Sequence, residues 1–297
     1  MKFLSPFREV RSGRRTTSSS DQPFHDKVVV ITGAGSGIGR SLAVATARDG
    51  ALLALSDINE EGLAETADLA RRAGAPDVHT ARLDVADRAA FRDYAATVAE
   101  HFGRVNVVIN NAGVAVAGNF EEIEYADFDW IVGINFWGVV HGTKEFLPHL
   151  IASGDGHIVN LSSLFGLLSI PGQSAYNATK YAVRGFSESL RQEMLIGKHN
   201  VRVTVVHPGG IKTEIARNAR VCASEDKEAT AKFFDKIATM GPDRAAKVIL
   251  RGVTRNRPRV LVGLDAHALH TFAKFSGARY QDVVAASSKR ILPAKLV

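Results

Sequence analysis

Short apolar runs alternate with helix-length stretches through most of the chain, and this rhythm limits its possible folds more than any other feature. The predicted strands are residues 28–31, 51–55, 78–83, 105–109, 157–161, 201–206 and 259–262. Strands that are apolar throughout, rather than alternating, are expected where helices cover both faces of a sheet. The pattern therefore predicts an α/β fold, a Rossmann-like doubly wound parallel sheet of about seven strands in a single domain. Ligands of such sheets bind at the carboxyl ends of the strands.

The stretches between these runs define the predicted helices and the division of the chain. The helices are residues 41–49, 60–73, 89–102, 125–150, 174–196 and 243–254. Residues 1–25 are rich in Ser, Thr and Arg, which predicts a flexible basic N-terminal arm. Residues 26–262 are the predicted Rossmann-like domain, and residues 263–297 a helical C-terminal extension.

Composition excludes several classes of protein. The single cysteine, Cys222, excludes a disulfide framework, and the basic opening residues lack the apolar run of a signal peptide, so we expect a cytoplasmic protein. The ten histidines show no ligand-type spacing, so no metal is expected. From Arg244 onward eleven Lys and Arg stand against two acidic residues, without the aromatic interleaving of nucleic-acid binders. A peripheral membrane contact through this basic tail is less favoured than a solvated face.

A glycine-rich turn, TGAGSGIG, follows the first predicted strand. Gly33, Gly37 and Gly39 fit the spacing T-G-x-x-x-G-x-G and not the commoner G-x-G-x-x-G. Backbone without side chains can approach a pyrophosphate, whose charge the N-terminus of the following helix stabilises. The alternative is a tight connection without a ligand.

Asp57 closes the second predicted strand, eighteen residues after Gly39. A carboxylate there can accept hydrogen bonds from the adenosine ribose and repels a 2′-phosphate. No Arg or Lys stands at Ser36 or Ile58, so NAD is favoured over NADP. The alternative is that Asp57 caps the following helix, with Glu60 completing a capping box.

Six motifs occur in order, each at a predicted strand end or on the helix that follows. They are Thr32-Gly33 with Gly37 and Gly39, NNAG at 110–113, INFWG around Asn135, IVNLSS ending at Ser163, Tyr176 with Lys180, and PGGIKT at 208–213. With this order and spacing, residues 26–262 resemble the short-chain dehydrogenase/reductase family of the common, single-domain type.

The resemblance implies a role for each matching residue. Tyr176 would be the general acid/base, Lys180 would lower its pKa and contact the nicotinamide ribose, and Ser163 would bind the substrate oxygen. Asn135 would anchor a proton-relay water, Asn111 would face the cofactor, Asp84 the adenine, and Thr213 the carboxamide. The cofactor-binding set it implies is Gly33, Ser36, Gly37, Ile38, Gly39, Asp57, Asp84, Val85, Asn111, Ala112, Gly113, Tyr176, Lys180, Pro208, Gly209, Ile211 and Thr213.

Nearby positive charges can supply the free energy needed to lower the pKa of Tyr176. Lowering a phenol pKa from about 10 to about 7.5 requires roughly 3.4 kcal/mol. One positive charge at about 4 Å and an effective dielectric of about 20 offers on the order of 4 kcal/mol. Lys180 and an oxidised nicotinamide together would suffice. His157 and His207, at apolar strand positions, are interpreted as packed histidines outside the site.

The function that these patterns favour is an NAD(H)-dependent oxidoreductase that interconverts a hydroxyl and a carbonyl. Substrate contacts are expected from the loops at residues 114–120 and 164–172 and from the segment between residues 210 and about 240. The first two loops are apolar and favour a hydrophobic substrate, although their apolar side chains could equally pack internally or at a subunit contact. These side chains are Val114, Val116, Phe120, Phe165, Leu167 and Leu168. The stretch at residues 128–150 carries more large apolar residues than a solvent-facing helix needs. In the family that this chain resembles, that helix and the helix of Tyr176 form a dimer contact, so the resemblance implies a homodimer and leaves a tetramer open. The alternatives are an NADP(H)-dependent carbonyl reductase of the same fold and a non-catalytic dinucleotide-binding regulator.

Overall fold

The computed structural model describes residues 22–222 and 226–291. Seven parallel strands form the main sheet in the order β3-β2-β1-β4-β6-β7-β9, and β5 pairs with β8 in a second, two-stranded sheet. The strands are β1 (Val28–Thr32), β2 (Leu52–Asp57), β3 (Val78–Arg82), β4 (Val107–Asn110), β5 (Val116–Ala117), β6 (Gly156–Leu161), β7 (Val201–Pro208), β8 (Arg220–Val221) and β9 (Arg259–Val262). The predicted doubly wound sheet is confirmed.

Helices cover both faces of this sheet. They are α1 (Gly37–Ala47), α2 (Glu60–Ala73), α3 (Arg88–Phe102), α4 (Tyr125–Val132), α5 (Gly138–Ala152), α6 (Ser174–Ile196), α7 (Lys227–Ile237), α8 (Pro242–Thr254), α9 (Leu264–Ser276) and α10 (Tyr280–Ile291). One apolar core lies under α1, α2 and α8, and a second under α3, α5 and α6. Strands buried on both faces explain why the apolar runs do not alternate.

Local sequence determines where α2 begins and ends. The Asn59 side chain accepts a hydrogen bond from the Gly62 N–H, and Gly74 adopts a left-handed conformation at the C-terminus. The proposed capping box of Asp57 and Glu60 is therefore wrong, because Asn59 is the capping residue.

The predicted helix at 125–150 contains an irregularity. Between α4 and α5 the chain makes a π-helical turn, Gly133–Trp137, in which the Gly138 N–H reaches the Gly133 carbonyl. The wide turn places Asn135 inside the protein, where its side chain is fully buried. Helical periodicity does not predict such a turn, which costs one hydrogen bond and commonly marks a functional position.

The ends of the described chain differ in how they pack. Phe24 is buried in the core under α1, so packing begins before the predicted boundary at residue 26. Most of the predicted N-terminal arm lies outside the described residues. Helices α9 and α10 occupy the predicted extension as far as Ile291. None of the helices in the described part of the chain has the length and apolar character that crossing a bilayer requires.

Candidate active site

The carboxyl ends of β1, β2, β4, β6 and β7 open into a cavity of about 400 Å³. Every predicted site residue lines it except Gly39 and Asn135. The lining residues that the sequence analysis had named are Gly33, Ser36, Gly37, Ile38, Asp57, Asp84, Val85, Asn111, Ala112, Gly113, Ser163, Tyr176, Lys180, Pro208, Gly209, Ile211 and Thr213.

The glycine turn leaves no room for side chains. Gly33 and Gly37 have φ angles of +64° and +52°, which side-chain-bearing residues rarely adopt. A Cβ at Gly39 would overlap the Gly33 carbonyl, which explains why Gly39 lies beneath the cavity wall. The Ser36 side chain makes no capping bond to α1, so the first turn of that helix offers backbone N–H groups at the cavity. Such a cradle fits the pyrophosphate of a dinucleotide.

Asn111 and Thr32 join the turn to β4. The Asn111 Nδ2 donates to the carbonyls of Thr32 and Gly33, both at 2.9 Å. The Thr32 Oγ1 accepts from the backbone N–H groups of Asn111 and Ala112, both at 3.1 Å. Asn111 therefore contributes to the site mainly by supporting the glycine turn.

Asp57 lies beside the turn with its carboxylate directed at backbone N–H groups. It accepts from the Gly35 N–H at 2.7 Å and from the Asn59 N–H at 2.9 Å. The nearby Arg40 donates to the Gly35 carbonyl at 2.6 Å and forms an ion pair with Glu65 at 2.8 Å. The positive charge nearest the turn on α1 is thus already matched by a carboxylate.

Tyr176 and Lys180 lie one turn apart on α6 and face the same cavity as Ser163. All three are buried, with 9%, 4% and 9% of their surfaces exposed. The Lys180 Nζ donates to the Leu161 carbonyl at 3.2 Å and lies 5.5 Å from the centre of the Tyr176 ring. The arrangement places a phenol, a hydroxyl and an amine around one point of the cavity wall.

Burial dominates the titration of both groups on α6. It raises the pKa of Tyr176, while a hydrogen bond with the Ser163 side chain lowers it. Burial also lowers the pKa of Lys180 to about 8. The chain's own groups thus leave the Tyr176 pKa above its ordinary value, contrary to the lowering expected from Lys180, because removal from water outweighs the neighbouring partners.

Asn135 is occupied by internal hydrogen bonds. Its Oδ1 accepts from the Val114 N–H at 2.8 Å, and its Nδ2 donates to the Val114 carbonyl at 2.9 Å and to Thr179 Oγ1 at 3.3 Å. These bonds connect the π turn to the loop after β4 and to α6. Both N–H donors of its side chain are therefore used within the protein.

His207, which the sequence analysis placed outside the site, contacts the backbone of the site. Its Nδ1 lies 2.8 Å from the Ser163 carbonyl oxygen, and its ring is fully buried. Burial lowers its pKa to about 4, so the neutral ring donates from Nδ1 to that carbonyl. Neither periodicity nor composition could have indicated a contact between residues 44 positions apart.

The remaining wall is apolar. Val114, Trp130, Ile134 and Ile215 line the cavity. Val114 and Ile215 belong to segments predicted to contact substrate, whereas Trp130 and Ile134 do not. The Arg220 guanidinium lies 3.8 Å from the centre of the Trp130 ring. Of the loop residues proposed to contact substrate, Val116, Leu167 and Leu168 are buried in the protein, Phe120 is largely exposed, and Phe165 packs edge-on against Tyr176.

The described residues contain no group of three or more His, Cys, Asp or Glu side chains placed to bind an ion.

Comparison with known proteins gives consistent matches. A model of the short chain dehydrogenase family matches residues 27–222. SadH of Mycobacterium tuberculosis, an oxidoreductase by its name, is 55% identical over 271 residues, which are 91% of this chain and 98% of SadH. Levodione reductase of Leifsonia aquatica is 38% identical over 231 residues, or 77% of this chain and 85% of the reductase. A solved short chain dehydrogenase/reductase from Burkholderia phymatum, in complex with NAD, is similar with a TM-score of 0.80 and 32% identity, covering 87% of this chain and 96% of that one.

Proposed function

The chain belongs to the short-chain dehydrogenase/reductase family of oxidoreductases that act on CH–OH groups, and from this premise we propose that it is NAD(H)-dependent, with Tyr176 as its acid/base. The observation that carries the proposal is the meeting of Tyr176, Lys180 and Ser163 on one wall of the glycine-lined cavity. Three buried polar side chains that meet at the carboxyl ends of the strands, in the wall of a cavity, suit proton transfer.

NAD is favoured over NADP by the surroundings of Asp57. A carboxylate beside the turn would repel a 2′-phosphate, and Arg40 is engaged by the Gly35 carbonyl and Glu65. The NAD complex of the Burkholderia relative supports the same choice. The alternative, an NADP(H)-dependent carbonyl reductase, is tested by titrating protein fluorescence with NADH and NADPH. Tighter binding of NADPH would favour that alternative.

A bound nicotinamide dinucleotide supplies the hydride acceptor for alcohol oxidation, the hydride donor for carbonyl reduction, and in its oxidised form a positive charge. The chain's own groups manage the proton. The Tyr176 phenolate accepts the proton of a substrate alcohol and becomes a hydroxyl, and in the reverse direction the Tyr176 hydroxyl gives its proton to the carbonyl oxygen. The Ser163 hydroxyl binds that substrate oxygen.

Lys180 acts through its charge and its position. Its ammonium stabilises the phenolate of Tyr176, because a nearby cation favours the charged form of a phenol. We assign the anchoring of a relay water to the main-chain carbonyl of Asn135, since both N–H donors of its side chain bind Val114 and Thr179. The π turn supports this assignment, because wide turns release backbone groups from regular helical bonding.

The substrate that this cavity favours is a hydrophobic alcohol or carbonyl compound. Trp130, Ile134 and Ile215 supply apolar surface, and Ser163 and Tyr176 supply the polar end. We retain a cytoplasmic location, which the single cysteine favours.

We also retain the homodimer. Trp137, at the end of the π turn, has half of its surface exposed, and Leu195 and Ile196 at the end of α6 are exposed as well. Exposed large apolar side chains on adjoining helices are typical of subunit contacts. Sedimentation equilibrium measures the assembly, and a monomer at micromolar concentration would contradict it.

The decisive experiment compares Tyr176→Phe with the wild-type protein. A panel of hydrophobic secondary alcohols is screened by the absorbance of reduced nicotinamide. We expect Tyr176→Phe to lower kcat by about 10²–10⁴ and to leave the dissociation constant of NADH within about threefold. Tyr125→Phe, at a tyrosine that is 89% exposed, is the matched control and should retain full activity.

Full activity of Tyr176→Phe would contradict the mechanism. A wild-type protein that binds NADH but oxidises no member of a broad panel, and reduces none of the corresponding ketones, would favour the alternative of a non-catalytic dinucleotide-binding regulator.

A further inference from the structure

Helices α9 and α10 contact two loops on either side of the catalytic residues. We propose that this C-terminal extension is a positioning part of the active site, in which Asp265 holds the turn at residues 208–213 and Tyr280 holds the loop at residues 164–172. The proposal builds on the proposed function, because the first segment lines the cofactor cavity and the second follows Ser163 directly.

Asp265, in the first turn of α9, lies in a nest of glycines. Its Oδ2 accepts from the Gly210 N–H at 2.6 Å. A Cβ at Gly209 or at Gly263 would overlap the same carboxylate, and Gly263 has a φ angle of +109°, which glycine alone adopts readily. Gly209 and Gly263 thus leave room for the carboxylate, and its bond to the Gly210 N–H ties the turn to α9.

The position of this turn matters because it forms part of the cavity. Pro208, Gly209, Ile211 and Thr213 line the cavity, and the Thr213 methyl group lies over Gly37 of the glycine turn. A shift of the Gly209–Gly210 backbone would therefore move cavity wall on the side opposite α6. Hydrogen bonds from backbone N–H groups to a carboxylate are stronger than those to neutral acceptors, which suits Asp265 to this task.

Tyr280, at the start of α10, makes the corresponding contact with the second loop. Its hydroxyl accepts from the Ser169 N–H at 3.0 Å. Tyr181 of α6 lies at the same point and forms a hydrogen bond with Tyr280. Burial and this bond raise the pKa of Tyr181. The loop that Tyr280 holds contains Phe165, whose ring packs edge-on against Tyr176.

An apolar cluster joins the two contacts into one unit. Leu164 and Leu168 of the loop pack with Ala266 and Ala273 of α9, and Tyr280 packs against them. Because α9 carries both the Asp265 contact and part of this cluster, the extension connects the cofactor side of the cavity to the substrate side. A purely structural extension would need only the apolar cluster and not the two hydrogen bonds aimed at loop backbone.

The test compares Asp265→Ala, Asp265→Asn and Tyr280→Phe in the full chain. Hydrogen–deuterium exchange is followed in peptides covering residues 164–172 and 208–213, and NADH binding by fluorescence. Asp282→Ala, at an exposed acid of α10, and Tyr125→Phe are the matched controls. We expect both controls to match the wild-type protein in exchange and in NADH binding.

Each variant has its own expected pattern. Asp265→Ala should speed exchange in 208–213 and weaken NADH binding, each by about tenfold, because a charge-assisted hydrogen bond is lost. Asp265→Asn keeps an acceptor oxygen and should restore NADH binding to within about threefold of wild type. Tyr280→Phe keeps the ring and should speed exchange in 164–172 by about tenfold, with NADH binding unchanged.

The outcomes separate positioning from mere stability. Wild-type exchange in both loops, or an equal acceleration over the whole chain with a lower Tm, would overturn the proposal. If the wild-type protein bound no NADH, the proposed function would fail, while the exchange of the two loop peptides would still decide whether the extension positions them.

Discussion

Burying the Lys180 ammonium beside Tyr176 lowers the stability of the folded protein. Its side chain is 4% exposed, yet its one hydrogen bond in the structure is to the Leu161 carbonyl. Burial lowers its pKa from 10.5 to about 8, so the folded protein disfavours the charged form relative to the unfolded chain. The ammonium is needed beside Tyr176, and stability is lost to keep it there.

This cost predicts that Lys180→Met raises the free energy of unfolding, by an amount that depends on pH. Between pH 8 and 10.5 the unfolded chain binds more protons than the folded one, so wild-type stability rises with pH across that window and is lowest below pH 8. At pH 7 the variant should therefore be more stable by on the order of 1–3 kcal/mol, and inactive. Urea unfolding at several pH values measures the difference.

The matched control for this comparison is Lys247→Met, at an exposed lysine of α8. It should show no such gain. A Lys180→Met variant that is less stable than wild type at pH 7, or a gain that persists above pH 10.5, would contradict the assigned cost.

At the scale of elements, α5 packs onto β4 at unusually short range through Gly142. A Cβ at this position would overlap the amide of Asn110, which is buried and hydrogen-bonded to Asn160 and Thr143. The buried Asn110 amide can therefore lie against the helix because position 142 lacks a side chain. Asn110, the first residue of the NNAG motif, thus serves packing, whereas Asn111 serves the turn.

We expect Gly142→Ala to lower the free energy of unfolding by about 1–3 kcal/mol, because the added methyl group forces apart a helix and a polar core. Gly133→Ala, in the π turn that precedes α5, is the control. Its Cβ would make ordinary contact with Ala86 at 3.4 Å, so the change should be neutral or stabilising by up to about 1 kcal/mol. Urea unfolding of both variants distinguishes the two, and equal values would exclude the close approach.

The sequence predicted the regular helices and strands better than the irregular segments between them. The bounds of α2 and α6 match because their apolar spacing and flanking residues are local signals. The π turn, the pairing of β5 with β8, and α7 were not foreseen. Strands of two residues each, about a hundred positions apart, leave no periodic pattern, and the π turn differs from an α-helix by a single shifted bond.

The site likewise contains residues that the sequence predicted and residues that only the structure reveals. The glycine turn and the residues of α6 follow from short motifs, and they line the cavity as expected. Trp130, His207, Asp265 and Tyr280 reach the site from distant segments, and no spacing along the chain indicates this. The sequence also could not show how the Asn135 side chain is used, because only the fold reveals its hydrogen bond with Val114.

At the scale of the whole molecule, two buried histidines on neighbouring strands limit stability in acid. His157 on β6 and His207 on β7 are almost fully buried, and burial lowers their pKa values to about 3 and about 4. Unfolded histidines have a pKa of 6.5, so below that pH the unfolded chain binds more protons than the folded protein.

The free energy of unfolding should therefore fall as the pH decreases from 6.5 toward 4, with each histidine contributing up to about 1.4 kcal/mol per pH unit. His157→Gln, which can still bond to Thr204, should make the dependence shallower. His199→Gln, at an exposed histidine, should not. Chemical unfolding at pH 7, 6 and 5 measures the slopes, and parallel slopes for wild type and His157→Gln would refute the assignment.

The pairing of β5 with β8 has a consequence for the chain's sole thiol, which lies buried at the end of this small sheet. Cys222 directly follows β8, is buried, and its N–H donates to the Ala117 carbonyl, while Gly118 connects the same strand to the loop after Ser163. The rate at which an alkylating reagent labels this buried thiol would therefore report how often this part of the fold opens, without any engineered probe.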